Sequence, residues 1–125
     1  MSDLSELSSR IETIERGYEY LLAYAAQGRQ NEQGSEVRDR LGAMFKVLHG
    51  LGELCAKVAV AGGAMPATVN PFLDAVKQDA AKARGAIGLV LSRPAISSLL
   101  VDNLNASIHV RALLTDCFLF EQAYK

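Results

Sequence analysis

Two histidines, His49 and His109, are the side chains of this 125-residue chain best suited to moving a proton or holding a metal. Histidine changes its charge near neutral pH and is a frequent metal ligand. A helical di-iron site needs Glu-x-x-His on two helices, and neither histidine follows a glutamate by three residues. We therefore predict no metal site. An enzyme that uses His49 as a general base is the weakest of three functional hypotheses.

Cys55 and Cys117 are the two cysteines, and they lie far apart in the sequence. Together with two histidines they do not form a spacing that is typical of zinc sites. We expect buried free thiols, because no export signal points to an oxidising compartment. No serine, threonine or cysteine lies in a sequence context that favours a nucleophile. We predict no catalytic residues, and the sequence does not identify a cofactor.

Hydrophobic residues recur every three or four positions along most of the chain, which is typical of amphipathic helices. Their spacing predicts four helices, at about 3–27, 36–61, 71–92 and 95–123. Ser2 or Asp3 is suited to cap the first helix, and Asn70 before Pro71 marks the start of the third. Short connections favour antiparallel neighbours. We therefore predict an all-α fold, a single antiparallel four-helix bundle with up-down-up-down order, as one domain over residues 1–125.

The stretch YEYLLAY, residues 18–24, contains three of the four tyrosines within two helical turns. Tyr18 continues the predicted core-facing stripe of the first helix. Tyr20 and Tyr24 are four residues apart, so they are expected together on a flanking face. A tyrosine suits a half-buried position with one wet end. These two rings are therefore predicted either to pack at the edge between helices or to face an interface or a ligand.

The fourth predicted helix is apolar around most of its circumference. Its core-facing stripe is predicted to include Leu99, Asn103 and Ala106. The residues expected at an interface with a partner are Tyr24, Leu100, Leu104, Ile108 and Phe118. Exposed apolar surface of this extent is uncommon on soluble monomers. We therefore predict a homodimer, with a central position of this helix in a compact monomer as the alternative.

Several glycines and both histidines are expected to share one layer near the middle of the bundle. Counting the helical rise from the helix ends places Tyr18, His49 and His109 at similar heights, close to Gly52 and Gly85. Glycines in this layer either let helix backbones approach closely or leave room for a ligand. In the second interpretation, the ligand-binding residues are Tyr18, Tyr20, Phe45, His49, Gly52 and His109.

Charge and hydropathy restrict the functional classes. The net charge is −1 with both signs interspersed, so the basic surface that nucleic-acid binding requires is not expected. No apolar run approaches the ~18 residues of a membrane span, and the polar, acidic N-terminus favours a cytoplasmic location. The leading hypothesis is a non-enzymatic helical-bundle protein that acts through protein–protein contacts, as an adaptor, regulator or chaperone-like partner. The alternative is a small-molecule or cofactor-binding sensor or carrier with a mid-bundle pocket.

Overall fold

The computed structural model describes residues 2–63 and 66–125, and within these ranges it is all-α, without strands. The prediction of an all-α fold is therefore confirmed. Six helices are present in these ranges, whereas the sequence predicted four. They are α1 (Asp3–Ala25), α2 (Val37–Leu48), α3 (Leu51–Ala61), α4 (Pro66–Leu91), α5 (Ser98–Ile108) and α6 (Val110–Tyr124). A bundle of four uninterrupted helices is not confirmed, because the second and the fourth predicted helices are each divided in two.

The helix ends differ from the predicted ones at two further places. Ser2 caps α1 as expected, because its Oγ accepts a hydrogen bond from the Ser5 backbone N–H at 3.1 Å. The prediction that Asn70 and Pro71 start a helix is wrong, since α4 already begins at Pro66. Pro71 lies in the second turn of α4, where a proline removes one i→i−4 hydrogen bond of the helix. Residues 64 and 65, in the predicted connection before this helix, lie outside the described residues.

The break between α2 and α3 is formed by His49 and Gly50. His49 is extended, with φ −65° and ψ 123°, and Gly50 takes the left-handed conformation with φ 70°. Glycine has no Cβ, so it takes this conformation at low cost. From α1, Arg10 Nη1 donates hydrogen bonds to the carbonyls of Val47, at 3.1 Å, and His49, at 2.6 Å. The carbonyls at the end of α2 are therefore satisfied by a side chain from a neighbouring helix.

The break between α5 and α6 consists of His109 alone. Its φ of 47° and ψ of 43° are left-handed, and it is the single non-glycine residue with positive φ in the part of the chain described. This break changes the phase of the helix, so the core-facing side of α5 contains Leu104 and Ile108. The predicted core stripe through Leu99, Asn103 and Ala106 is wrong, because all three residues are exposed.

A continuous hydrophobic core lies between the helices. α1 packs against α2, α3, α5 and α6, while α4 packs against the same four helices from the other side. At one end of the molecule, the Tyr24 hydroxyl donates to the carbonyl of Ile96, and Ser98 Oγ donates to the Tyr24 carbonyl at 2.7 Å. Arg38 donates to the Leu91 carbonyl at the end of α4, at 3.1 Å. These contacts fix the loops before α2 and α5 to the core.

Candidate functional site

The three clustered tyrosines have three different environments, and two of the predictions for them are wrong. Tyr24 is fully buried rather than on a flanking face, and Tyr18 is half-buried rather than in the core. The core positions of α1 continue through Gly17 and Leu21, so the buried stripe passes beside Tyr18. Tyr20 is half-buried, and its hydroxyl accepts a hydrogen bond from the Glu36 backbone N–H at 2.8 Å. Tyr24 therefore offers no surface to a partner.

The other predicted interface residues are also divided by the structure. Leu104 and Ile108 are buried in the core of the protomer, so the prediction that a partner covers them is wrong. Leu100 is half-buried and packs against the same core. Phe118 alone of the predicted set is exposed, with 40% of its surface accessible. The break at His109 explains this result, because a wheel drawn through a continuous helix assigns α5 the wrong phase.

Tyr18 and His109 lie together in an open groove of about 680 Å³ between α1 and the break that joins α5 to α6, which we call the His109 groove. Asn105, Thr115 and Asp116 add polar groups to its lining. Burial raises the pKa of the Asp116 carboxyl, and the nearby charge of Asp79 raises it further. This groove therefore combines several hydrogen-bonding side chains with a residue in a strained backbone conformation.

Asn105 has the least satisfied polar atom in the His109 groove. Its Nδ2 donates a long hydrogen bond of 3.4 Å to the Leu21 carbonyl. Its Oδ1 is buried and has no hydrogen-bond partner among the described residues. Buried polar atoms nearly always have a partner, so this unpaired acceptor in a residue that lines the groove is an exception.

His49 and Gly52 line a second groove, of about 470 Å³, between the start of α3 and α4, which we call the His49 groove. Lys77 and Arg84 also line it. The Arg84 guanidinium lies 3.8 Å from the centre of the Phe45 ring, so Phe45 supports the groove from one side. The predicted ligand-binding residues are thus not brought together. Two lie in each groove, while Tyr20 and Phe45 line neither.

The glycines in the middle of the molecule mostly permit close packing rather than a cavity. A Cβ on Gly17 would lie 2.5 Å from the Met44 side chain. At Gly52 a Cβ would lie only 2.9 Å from the Lys77 Cα, so α3 and α4 approach each other closely at that residue. Gly85 has open space around it. Close packing is therefore the better interpretation at Gly17 and Gly52.

A third groove, of about 500 Å³, lies between α1 and α6 and was not anticipated as a groove. Four of its lining side chains are carboxylates, and we call it the acidic groove. They are Glu12, Glu15, Glu19 and Glu121. Phe118 lies among them. The i, i+3, i+7 spacing of the α1 glutamates places them on one helical face, which is the signal in the sequence that could have indicated this surface.

The chain matches no known protein family, no curated protein and no solved structure.

The thiols lie apart from all three grooves and are poorly suited to chemistry. Cys55 and Cys117 are buried free thiols, as predicted. Burial raises the pKa of Cys55 to about 11, with a smaller contribution from Glu53, and it raises the pKa of Cys117 to about 12. Since the thiolate is the reactive form, both groups are unreactive near neutral pH.

Across residues 2–63 and 66–125, no group of three or more His, Cys, Asp or Glu side chains is arranged to hold a metal ion. None of the helices described is both long enough and apolar enough to cross a membrane.

Proposed function

We propose that this protein is a non-enzymatic cytoplasmic protein that acts through protein–protein contacts, as an adaptor, regulator or chaperone-like partner. The observation that carries the proposal is Phe118, an aromatic side chain that is 40% exposed in a groove between two helices. Scattered exposed leucines are ordinary on soluble proteins. An exposed aromatic ring in a concave surface is instead typical of the anchoring residues of protein interfaces.

The scaffold of this proposal is a four-rod bundle. We propose that α2 with α3, and α5 with α6, each act as one broken rod beside α1 and α4. In support, α1 contacts both helices of each pair. The seams between neighbouring rods then present the grooves, and the solid core keeps their walls in place. Rigid elements hold a binding surface more precisely than loops do.

Homodimerisation remains part of the proposal, but on a smaller surface than the sequence indicated. Leu104 and Ile108 are already covered within the protomer. Among the described residues, the large apolar side chains that a second copy could still bury are Leu22, Val60, Leu89, Leu99, Phe118 and Leu119. Size-exclusion chromatography with light scattering at low micromolar concentration measures this directly. A dimer mass supports self-association, and a monomer mass restricts the proposal to other partners.

Site-specific photo-crosslinking in the native host tests the proposed function. Benzoylphenylalanine replaces, one at a time, Leu22, Val60, Leu89, Leu99 and Phe118. Matched controls carry it at Gln78 and Lys82, which are exposed polar positions on α4. We expect discrete protein adducts at one or more apolar positions and none at the controls. No adduct at any apolar position, or equal adducts at the controls, would contradict the proposal.

Small-molecule binding in the His109 groove is the second candidate. The observation that favours it is the buried Asn105 Oδ1 without a partner, close to the polar side chains of Tyr18 and His109. A ligand with a hydrogen-bond donor would satisfy this acceptor. Native mass spectrometry of freshly purified protein tests the idea. A bound molecule that is retained by the wild type and lost from Asn105→Leu supports it, and identical spectra without an adduct contradict it.

A further inference from the structure

The acidic groove and the His109 groove are both lined by residues of α1 and α6, and we call the two together the α1–α6 seam. On α1, Tyr18 lines one groove and Glu19 the other. On α6, Thr115 lines the first and Phe118, one turn further along, the second. From Ser8 to Glu19 the seam follows α1 for about 16 Å, or three helical turns. This length matches a short helix.

The seam carries much more negative charge than the chain as a whole, whose net charge is −1. Two guanidinium groups line the seam, those of Arg16 and Arg111. Arg16 is already paired with Glu12 at 2.5 Å. Five carboxylates line the two grooves, four in the acidic groove and one in the His109 groove. They are Glu12, Glu15, Glu19, Asp116 and Glu121. Neither Glu15 nor Glu19 forms an ion pair in the described part of the chain. The surface is therefore complementary to positive charge.

The seam also offers an apolar contact and an unused acceptor. Phe118 is 40% exposed within it, and Ile11 closes the base of the same groove. In the other groove of the seam, the buried Asn105 Oδ1 has no partner among the described residues. A ligand that brings an apolar side chain and several positive charges on one face would complement Phe118 and the carboxylates.

We propose that the α1–α6 seam binds a basic amphipathic helix of a partner protein. Its apolar side would rest on Phe118, and its lysines or arginines would face Glu15 and Glu19. Laying an amphipathic helix into a groove is a common mode of recognition. A second copy of this chain does not fit as well, because a two-fold contact here would set the same carboxylates against each other. The inference rests on the proposed function and specifies the class of partner.

Fluorescence anisotropy with a model peptide tests the proposal on the full chain. The probe is a labelled peptide of leucine and lysine, about 14 residues long, with leucines on one helical face. Its counterpart has glutamate in place of every lysine. We expect the lysine peptide to bind at low ionic strength and to weaken with added salt. The glutamate peptide should not bind. Absence of binding by the lysine peptide would overturn the proposal.

Charge variants locate the binding surface. The double substitution Glu15→Lys with Glu19→Lys should lower the affinity for the lysine peptide on the order of tenfold. The matched control, Asp74→Lys with Asp102→Lys, makes the same change in net charge at exposed positions outside the seam. It should change the affinity less than about twofold. Equal weakening by both pairs would show that net charge alone attracts the peptide, and it would overturn the proposal. Glu15→Gln with Glu19→Gln gives a second measurement if the lysine variant does not fold.

Two adjacent apolar residues provide the second control. Phe118→Ala should lower the affinity for the peptide several-fold. Leu119→Ala should leave the affinity unchanged, because Leu119 is 63% exposed but does not line the seam. Equal effects of the two substitutions would contradict the docking site. Failure here can be separated from failure of the proposed function. If crosslinks form in the native host at Val60 or Leu89 but the lysine peptide does not bind the seam, only the proposal for the seam is refuted. If no crosslink forms at any apolar position, both proposals are refuted.

Discussion

The two helix breaks solve the same geometrical problem in different ways. Between α2 and α3, a glycine takes the left-handed conformation, and Arg10 from α1 donates to the exposed carbonyls. Between α5 and α6, His109 takes that conformation itself, and no side chain of the described residues caps it there. The neighbouring Asn105 Oδ1 is also unpaired. The first break therefore has a side-chain donor for the carbonyls of Val47 and His49, while the second has a non-glycine residue in the left-handed conformation and an unpaired acceptor nearby.

The difference indicates where the molecule departs from the arrangement that is best for stability alone. A left-handed conformation at a non-glycine residue costs roughly 1–2 kcal/mol. Such strain is found preferentially at binding and switching sites. The His109 break lines the α1–α6 seam, whereas the His49 break is bound by Arg10 of α1 and lies next to the close approach of α3 and α4 at Gly52. We therefore expect substitutions at the first break to destabilise the protein and one substitution at the second to stabilise it.

The largest effect is expected from Gly52→Ala, next to the first break. The new Cβ would meet the Lys77 backbone, so α3 and α4 must separate, at a cost of roughly 1–3 kcal/mol in the free energy of unfolding. The matched control, Gly85→Ala, has open space and should stabilise α4 by about 0.5–1 kcal/mol. Urea denaturation measures both. If Gly52→Ala stabilises the protein as Gly85→Ala does, the close approach at Gly52 is not tight.

Arg10→Ala should remove the side-chain cap of the first break. The carbonyls of Val47 and His49 then lose their donor, and we expect the free energy of unfolding to fall by about 1–2 kcal/mol. Arg16→Ala is the control, because Arg16 is an exposed α1 arginine whose one ion pair, with Glu12, is on the surface. It should change stability by less than about 0.5 kcal/mol. Similar losses for both arginines would argue against a capping role.

Glycine substitutions at the two histidines should have opposite signs. His109→Gly relieves a left-handed conformation and should stabilise the fold by up to about 1 kcal/mol. His49→Gly relieves nothing, since His49 has a φ of −65°, and it increases the freedom of the unfolded chain at a cost of about 0.5–1 kcal/mol. Thermal denaturation compares the two. If both variants lose stability, the left-handed conformation of His109 does not destabilise the fold.

The smallest effect is expected on the stability in acid. It involves Glu32, whose carboxylate joins the loop before α2 to the loop before α5. Glu32 accepts hydrogen bonds from the Ile96 N–H at 2.9 Å and from Arg38, which together hold its pKa at about 2. A lowered pKa contributes stability above the unfolded value of about 4.5 and loses it as the pH falls towards about 2. Glu32→Gln should flatten the pH dependence of the melting temperature in this window. Asp74→Asn should leave it unchanged, and an unchanged profile for Glu32→Gln would contradict the assignment.

The sequence was sufficient for what depends on local pattern. Periodicity identified the all-α class, and Ser2 was correctly predicted as a cap. The phase of α5 could not be predicted, because a helical wheel assumes an unbroken helix and His109 is not a residue that usually ends one. That one assumption made Leu104 and Ile108 look like interface residues. The predicted pocket failed for a related reason, since equal heights along a bundle do not place side chains on the same face.

Native mass spectrometry of the protein isolated at endogenous level from its own host tests the central claim most directly. We expect the chain in a complex with at least one further polypeptide, and we expect Phe118→Ala to lose that polypeptide while Leu119→Ala retains it. A spectrum that contains only the chain by itself, or the chain with a small molecule bound, would contradict the claim that the protein acts through protein–protein contacts.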